Sequence, residues 1–321
     1  MEEHVPVWEG RRHAWSAGPA VALRLAAAET RLLARRVNGA DALIVGYPGH
    51  FDLMAARRAA AGRPIVFNPL VSLADTFVSD RRRFRANSLA ARVLERVDRA
   101  AFGAADLVVA DTEAHARFFA QLTDTPIEVC FVGAEDRLFT PGWSPADPFK
   151  VLFVGKLIPL HGVETILEAA RLLPDVPFRL IGSGQLGPLL DSRPPNVEHV
   201  SWVDYETLPA ELRHAGCALG IFGSSDKALR VIPNKAFQAL ACGTPLITGD
   251  TVAARELIVD GESALLVAPG DPAALAHAVR RLAENPELAR KLGAGGRAAY
   301  EQNASEAVLG PRWRTIVESL L

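Results

Sequence analysis

Residues 226–257 read DKALRVIPNKAFQALACGTPLITGDTVAAREL and predict a helix, a buried strand and a second helix. Pro233 suits a first helical turn, because proline presets φ and lacks an N–H that this turn leaves unpaired. A small apolar face follows, and Cys242 and Gly243 end the helix. Lys235 lies in the first turn. Since the free N–H groups of a helix N-terminus bind anions and a lysine adds positive charge, this turn predicts a phosphate site.

A simpler interpretation of Lys235 is a solvated surface residue, as most lysines are. The chain has only five lysines and uses arginine at most other basic positions. This sparing use of lysine favours a functional role for Lys235.

The composition predicts a soluble globular protein with room for two domains. Of its 321 residues, 49% are hydrophobic and 22% are charged. The net charge of −2 argues against nucleic acid as a partner, because that partner requires a basic excess. Cys130, Cys217 and Cys242 lie far apart in apolar runs, which is typical of reduced cysteines. The acidic start, Met-Glu-Glu-His, lacks a signal-peptide pattern, so a cytoplasmic location is expected.

Apolar runs of strand length alternate with helical patterns along the chain. Strands separated in this way by helices form parallel sheets that are covered on both faces. Residues 133–148, with three prolines and two glycines, have the composition of a linker. We therefore predict two doubly wound α/β domains. The predicted strands are 42–46, 64–68, 107–110 and 127–132, and then 151–155, 178–181, 197–203, 218–222, 244–248 and 265–267.

Two runs in the second half carry a family resemblance. Residues 238–248 read QALACGTPLIT, and residues 254–279 read ARELIVDGESALLVAPGDPAALAHAV. Together they resemble the GT-B glycosyltransferases of the large retaining family 4, and the resemblance extends over about residues 40–321. It implies two Rossmann-like domains facing a cleft. It also implies transfer of a sugar, with retention, from a UDP- or GDP-linked donor to an acceptor that is often lipid-linked in such proteins.

The chain departs from the family pattern at a pair of acidic positions. Family members carry a Glu, seven residues and a second Glu, whereas Arg230 and Gln238 stand at these places here. Gln238 can still hydrogen-bond a ribose hydroxyl, because an amide both donates and accepts.

The resemblance also implies the domain organisation. We expect an amino-terminal domain over 1–145, a nucleotide-sugar domain over 146–302, and a final helix over 303–321 that packs back on the first domain. The family's first strand, glycine-rich loop and helix have no counterpart before residue 17, so the first domain is expected to lack its usual first βα unit. An uncovered sheet edge is a liability, and residues 1–16 or a partner chain are expected to cover it.

Loops after the predicted strands supply the candidate donor-binding residues. Lys156 and His161 stand where the family holds the donor diphosphate with Arg and Lys. The G-x-G-x-x-G run at 182–187 alone suggests a dinucleotide site, but the resemblance instead implies that it lines the donor nucleotide, with Val203 near the base. The candidates are Gly155, Lys156, His161, Gly182, Gly184, Val203, Asn234, Lys235 and Gln238.

The candidate chemistry uses neither a metal nor a cofactor. The sequence contains no Asp-x-Asp and no His or Cys cluster with metal-ligand spacing. Lys156 and Lys235 would then stabilise the charge that develops on the leaving diphosphate. His50 and Asp75 are candidate catalytic residues because they follow parallel strands whose carboxyl ends face the cleft, although either also suits a structural role in its loop.

A basic run, DRRRFR at 80–85, has two interpretations. Charge runs usually solvate a helix face. Beside a lipid-linked acceptor, the run can instead hold an anionic membrane surface, at the inner face of the cytoplasmic membrane. The residues of this predicted membrane contact are Arg81, Arg82, Arg83, Phe84 and Arg85.

Two other functions are compatible with the sequence. An inactive or regulatory GT-B protein would bind a nucleotide sugar without turnover, as the substituted Glu positions suggest. The interpretation as an NAD-dependent oxidoreductase depends on the glycines at 182–187, which would bind the dinucleotide.

Overall fold

The computed structural model describes residues 39–321 and, before them, positions 27, 30, 31, 33 and 34. Residues 1–16, expected to cover the edge of the first sheet, lie outside these. The described chain contains two separate parallel sheets, as the sequence predicts.

The first sheet has four strands in the order β1-β2-β3-β4. Every neighbouring pair is parallel, so a helix or turn must cross over between consecutive strands. A π-helical turn over Asp75–Asp80 follows β2. The strands are Leu43–Val45, Ile65–Phe67, Leu107–Ala110 and Ile127–Val129, and the helices are α1 at Leu53–Ala60, α2 at Leu89–Gly103 and α3 at Glu113–Phe119.

The second sheet has six parallel strands in the order β10-β9-β8-β5-β6-β7. The strands β5 to β10 are Val151–Val154, Phe178–Ile181, Val197–Val200, Cys217–Leu219, Leu246–Gly249 and Leu265–Val267. The helices are α4 at Val163–Leu172, α5 at Leu208–His214, α6 at Asn234–Cys242, α7 at Pro272–Glu284, α8 at Pro286–Asn303 and α9 at Glu306–Glu318. The strand order reverses direction beside β5, and ligands of open α/β sheets bind outside the carboxyl ends of strands at such a point.

Local sequence signals set the helix limits. Helix α6 begins after Pro233 and ends at Gly243, which adopts a left-handed φ of 72°, as the prolyl and glycyl signals predict. The Ser88 side chain accepts from the backbone N–H of Ala91 at the start of α2, and Asp271 caps α7 in the same manner.

Several predicted elements differ from the structure, and the strands expected over 127–132 and 218–222 end at Val129 and Leu219. The second helix of the opening stretch is only one 3₁₀ turn, Ala254–Glu256, because the chain leaves helical geometry at Leu257, whose φ is −120°. The strand expected over 197–203 stops at Val200, and the chain then turns into the cleft.

The last helix packs against the first sheet. Ile316 is buried in one cluster with Val66, Leu107 and Val109, although the preceding helix α8 packs against α6 of the second sheet. The chain therefore crosses between the two sheets twice. The exact domain limits at residues 145 and 302 stay a prediction.

Candidate active site

A cavity of about 920 Å³ lies between the two sheets, at the carboxyl ends of β5 and β6. The first domain contributes Tyr47, the turn after β2 and the arginines at 81–83, whereas the second contributes its glycine loops and the segment 201–205. This is the position that the strand order predicts for a ligand.

The glycine loops after β5 and β6 pack backbone against backbone. Gly155 and Gly182 have φ values of 150° and 142°, which strain any residue with a side chain. A Cβ on Gly182 would lie 1.9 Å from the carbonyl oxygen of Gly155, and one on Gly184 would lie 2.5 Å from that of Leu157. These glycines are therefore required for the contact between the loops, which form one floor of the cavity.

Lys235 is buried directly behind this floor. Its Nζ lies 3.8 Å from the ring centroid of Phe153 and 2.7 Å from the position that a Cβ on Gly155 would occupy. Among the described residues, Nζ has no hydrogen-bond partner. Burial holds the pKa of Lys235 well below its usual range. A buried amine that lacks a partner is costly, so an anion reaching this point through the Gly155 loop would bind favourably.

Lys156 and His161 lie in the same loop but differ in burial. Lys156 is exposed at the cavity wall, and its pKa is lowered by partial burial and by the nearby Arg81 guanidinium. His161 is buried, and its Nδ1 donates to the carbonyl oxygen of Lys156. Burial and the neighbouring Lys235 hold the pKa of His161 well below 6.5. His161 is therefore neutral near pH 7 and does not supply the positive charge of the family lysine whose place it takes.

We expect Lys156→Ala to weaken nucleotide-sugar binding by about 1–2 kcal/mol, because an exposed lysine contributes a charge-assisted hydrogen bond that water partly screens. Calorimetric titration measures this change. Lys291→Ala, which removes an exposed lysine from α8, is the control and should bind as the wild type does. Equal affinity in the wild type and Lys156→Ala would reject a phosphate contact for Lys156.

Of the other predicted donor residues Val203, Asn234 and Gln238, only Val203 lines the cavity. Val203 lines it, next to Trp202 and Tyr205. Gln238 Nε2 donates to the Tyr205 hydroxyl at 3.5 Å, so this amide reaches the edge of the aromatic wall. Asn234 is exposed at the first position of α6.

The structure does not bring His50 into the cavity. The His50 side chain is fully buried, with Nδ1 donating to the carbonyl oxygen of Pro48 at 2.9 Å and Nε2 at 3.4 Å from Asp98 Oδ1. Its ring packs edge-on against Phe67 with centroids 5.2 Å apart. The loop after β1 folds into the aromatic core, so the His50 ring lies there rather than in the cavity.

Asp75 lies at the interface between the domains rather than on the cavity wall. Its Oδ1 accepts from Arg230 Nη2 at 3.0 Å, and the Arg230 guanidinium also covers the Phe118 ring at 4.0 Å. The Thr112 hydroxyl donates to the Arg230 carbonyl oxygen at 2.5 Å. Arg230, at a family Glu position, thus joins the two domains.

Further polar contacts fix the cleft beside this pair. Lys227 Nζ donates to Thr76 Oγ1 at 2.6 Å. The Glu256 carboxylate accepts from the backbone N–H groups of Glu113 and Ala114 at 2.7 and 2.8 Å, so it caps α3 across the interface. Sequence analysis missed Lys227 and Glu256, because their partners lie more than 140 residues away in the chain.

The basic run at 80–85 was predicted to contact a membrane surface, but only part of it faces away from the cavity. Arg81, Arg82 and Arg83 line the cavity opposite the glycine loops, whereas Phe84 and Arg85 are exposed. The Arg81 carbonyl oxygen accepts from Gln185 Nε2 at 3.2 Å, which joins the run to the second glycine loop. The position of the run after β2 turns its first three arginines into the cleft.

Comparison with known proteins finds the same fold in solved structures. A sucrose-phosphate synthase from Thermosynechococcus elongatus superposes with a TM-score of 0.76 at 19% identity, over 95% of this chain and 82% of that one. HepE from Anabaena, solved with UDP-glucose, superposes with a TM-score of 0.72 at 18% identity, over 94% and 84%. Residues 148–285 match the family described as Glycosyl transferases group 1. That stretch is similar to this family, and the superpositions show that the chain has the GT-B fold. The predicted GT-B fold is thereby confirmed.

Curated relatives of this GT-B chain match it over part of their length. A phosphatidyl-myo-inositol mannosyltransferase from Mycobacterium leprae is 31% identical over 53% of this chain and 45% of the relative. A D-inositol 3-phosphate glycosyltransferase from Acidothermus cellulolyticus is 30% identical over 64% of this chain and 53% of the relative. The chain spans about half the length of these relatives.

Proposed function

We propose that this protein transfers a sugar from a nucleotide-sugar donor to an acceptor, and that cationic side chains stabilise the leaving diphosphate. The observation that carries the proposal is the buried Lys235 Nζ, which has no hydrogen-bond partner in the described chain and lies behind the Gly155 loop. A diphosphate on that loop would give Lys235 its missing counter-charge.

The chemistry follows from where negative charge develops. As the bond from the anomeric carbon to the diphosphate oxygen breaks, charge accumulates on the diphosphate. Lys156 at the wall, Lys235 beneath the loop and Arg81 across the cavity would stabilise that charge more strongly in the transition state than in the bound donor. Retention of the anomeric configuration is proposed from the family resemblance.

The donor nucleotide is proposed to lie along Gly182 and Gly184, with its base at the aromatic wall. Trp202 and Tyr205 are half exposed on that wall and offer ring faces on which a base can stack. UDP is the first donor to test, since HepE was solved with UDP-glucose. The names of the two curated relatives motivate inositol-containing and lipid-linked acceptors.

The proposal includes contact with an anionic membrane surface. Because Arg81, Arg82 and Arg83 face the cavity, contact with an anionic surface would fall to the exposed Phe84 and Arg85. Within the described part of the chain, no helix is long and apolar enough to cross a bilayer.

Binding without turnover is the rival function. The pairing of Arg230 with Asp75 favours it, because both charged groups are committed to the domain interface at a position where relatives carry a Glu. A panel of UDP- and GDP-sugars decides between the two. Thermal shift identifies the bound donor, and release of free nucleoside diphosphate in the presence of candidate acceptors measures turnover. Stabilisation without release would support the rival.

A predicted consequence of cationic stabilisation is that transfer survives a chelator. We expect the rate of nucleotide release to be unchanged in EDTA, because lysine and arginine would replace the metal that other transferases use to neutralise the diphosphate. No group of three or more His, Cys, Asp or Glu side chains suited to a metal occurs among the described residues. Loss of turnover in EDTA that magnesium or manganese restores would contradict this mechanism.

A further inference from the structure

The turn over Asp75–Asp80, which belongs to the first-domain wall of the cavity, carries two side chains that the second domain binds. Asp75 Oδ1 accepts from Arg230 Nη2 at 3.0 Å. Thr76 Oγ1 accepts from Lys227 Nζ at 2.6 Å, and Thr76 itself lines the cavity. Two cationic side chains therefore tie this wall of the cavity to the opposite domain.

The first domain fixes the same turn from its own side. The backbone N–H groups of Leu73 and Ala74 donate to the buried Asp98 carboxylate at 2.8 and 2.9 Å. The Ser72 hydroxyl donates to Asp98 at 2.6 Å, and the Thr76 hydroxyl donates to the Ser72 carbonyl oxygen at 2.7 Å. Because Asp98 belongs to α2, these bonds make the turn move together with the first domain.

Both cations come from the segment that also carries Lys235. Lys227 directly precedes the 3₁₀ turn Ala228–Arg230, and Lys235 lies in the first turn of α6 soon after it. One short segment thus contacts the first-domain turn at one end and the Gly155 loop at the other. The contacts run without interruption from α2 to the proposed diphosphate position.

The charged groups of this interface are buried, which is energetically costly. Lys227 is 5% exposed, and the side chains of Asp75 and Arg230 are 5% and 19% exposed. Burial lowers the pKa of Lys227, and the Asp75 and Asp80 carboxylates partly oppose that effect. Among the described residues, Asp75 Oδ2 and Arg230 Nε have no hydrogen-bond partner. Apolar side chains of similar volume would hold the domains together equally well, because desolvation offsets the attraction between buried ions.

Directed contacts instead select one placement of the two domains, because each donor must meet its own acceptor at hydrogen-bond distance. The Arg230 guanidinium also lies 4.0 Å from the ring centroid of Phe118, and the Arg230 carbonyl oxygen accepts from the Thr112 hydroxyl at 2.5 Å. Phe118 lies in α3 and Thr112 caps it. Arg230 therefore contacts α3 and the turn after β2 at once, and a shift of one domain past the other would break these contacts together.

We propose that Asp75, Thr76, Lys227 and Arg230 form an interdomain clamp that holds the cavity closed before any substrate binds, and that Arg230 is a positioning residue for transfer. Arg230 is not among the residues that line the cavity, so it acts through Asp75 and the turn that Asp75 begins. The positioning role rests on the proposed transfer reaction, whereas the closed arrangement of the domains does not.

Small-angle X-ray scattering of the full chain without ligand tests the closed arrangement. In Arg230→Glu a carboxylate faces Asp75, so repulsion should separate the domains and increase the radius of gyration. Asp75→Asn, which removes the partner charge with little change in shape, should also increase it and serves if Arg230→Glu does not fold. Arg230→Lys keeps a positive charge opposite Asp75 and should scatter as the wild type does. Arg290→Glu makes the same charge change at an exposed position of α8 and is the matched control.

Steady-state kinetics tests the positioning role, with UDP-glucose as donor and, as acceptor, the D-inositol 3-phosphate for which one curated relative is named. We expect Arg230→Glu to lower kcat at least about tenfold and to change the KM for UDP-glucose less than about threefold, because the donor loops lie in the second domain. Arg230→Lys should keep kcat within about threefold of the wild type. A merely structural role would reduce the folded fraction and leave kcat per folded molecule unchanged.

Three outcomes would overturn the inference. Wild-type scattering from both Arg230→Glu and Asp75→Asn would show that the clamp does not hold the domains. A larger radius together with wild-type kcat would remove the positioning role. A higher KM for UDP-glucose at unchanged kcat would assign Arg230 to donor binding. If the wild type turns over no nucleotide sugar, the proposed function fails, and the scattering of the same variants alone decides on the clamp.

Discussion

Lys235→Met weakens nucleotide-sugar binding by about 1–3 kcal/mol, or roughly 5- to 150-fold, and at the same time stabilises the free protein. Binding falls because the diphosphate loses a charge-assisted hydrogen bond. The free protein becomes more stable because the substitution removes a buried Nζ that has no hydrogen-bond partner among the described residues and places an apolar side chain against the Phe153 ring instead. Calorimetry measures the first effect, and thermal unfolding without ligand measures the second.

Lys235→Met is informative because it is expected to weaken donor binding and to raise the stability of the free protein at the same time. If Lys235 had a purely structural role, its replacement would destabilise the protein and would leave the binding enthalpy per folded molecule unchanged. Lys291→Met is the matched control, because Lys291 is exposed on α8 and should affect neither quantity. Lower stability together with wild-type affinity would reject the phosphate role of Lys235.

The same lysine makes binding depend on pH. In the free protein, burial lowers the Lys235 pKa, whereas an adjacent diphosphate favours the protonated form and raises it. Binding therefore takes up a proton at pH values between the free and bound pKa values of Lys235. Affinity is greatest below the free-state pKa and falls as the pH rises toward the bound-state pKa. Titrations in buffers of different ionisation enthalpy measure the uptake, which Lys235→Met should abolish.

The sequence predicted the framework because its signals are local. Buried apolar strands, a proline before α6 and a glycine after it each act within a few residues, and the corresponding elements form where they are predicted. The strands predicted over 127–132, 197–203 and 218–222 end three residues early, and the limits of the other strands agree within two residues. The opening stretch also predicted the position of Lys235. Its burial could not be predicted, because that depends on Phe153 and the Gly155 loop, which belong to a distant part of the chain.

The first-domain residues were harder to place for the same reason. His50 and Asp75 both follow parallel strands, a pattern that favours a position in the cleft. His50 instead contacts Asp98 and Phe67, and Asp75 pairs with Arg230. The arginines at 81–83 read as a solvent-facing charge run, although the turn after β2 directs them into the cavity. In each case the deciding partner is a tertiary contact that leaves no periodic signal in the sequence.

Gly182→Ala is expected to have the largest effect on stability, about 3 kcal/mol or more. The new Cβ would lie 1.9 Å from the Gly155 carbonyl oxygen, at a φ of 142° that alanine adopts only with strain. The loop after β6 would have to move away from the loop after β5, so donor affinity should fall with stability. Urea unfolding and nucleotide-sugar titration measure the two losses.

Gly187→Ala is the matched control within the same G-x-G-x-x-G run. A Cβ at this position meets no atom within 4 Å, so stability should change by less than about 0.5 kcal/mol. This contrast also separates the two interpretations of the run. In a dinucleotide fingerprint the third glycine allows close packing between helix and strand, and its replacement is costly. Here Gly187 opens a 3₁₀ turn, Gly187–Ser192, rather than an α-helix. If Gly187→Ala were as damaging as Gly182→Ala, the backbone contact between the loops would not explain the glycines, and the oxidoreductase interpretation would regain support.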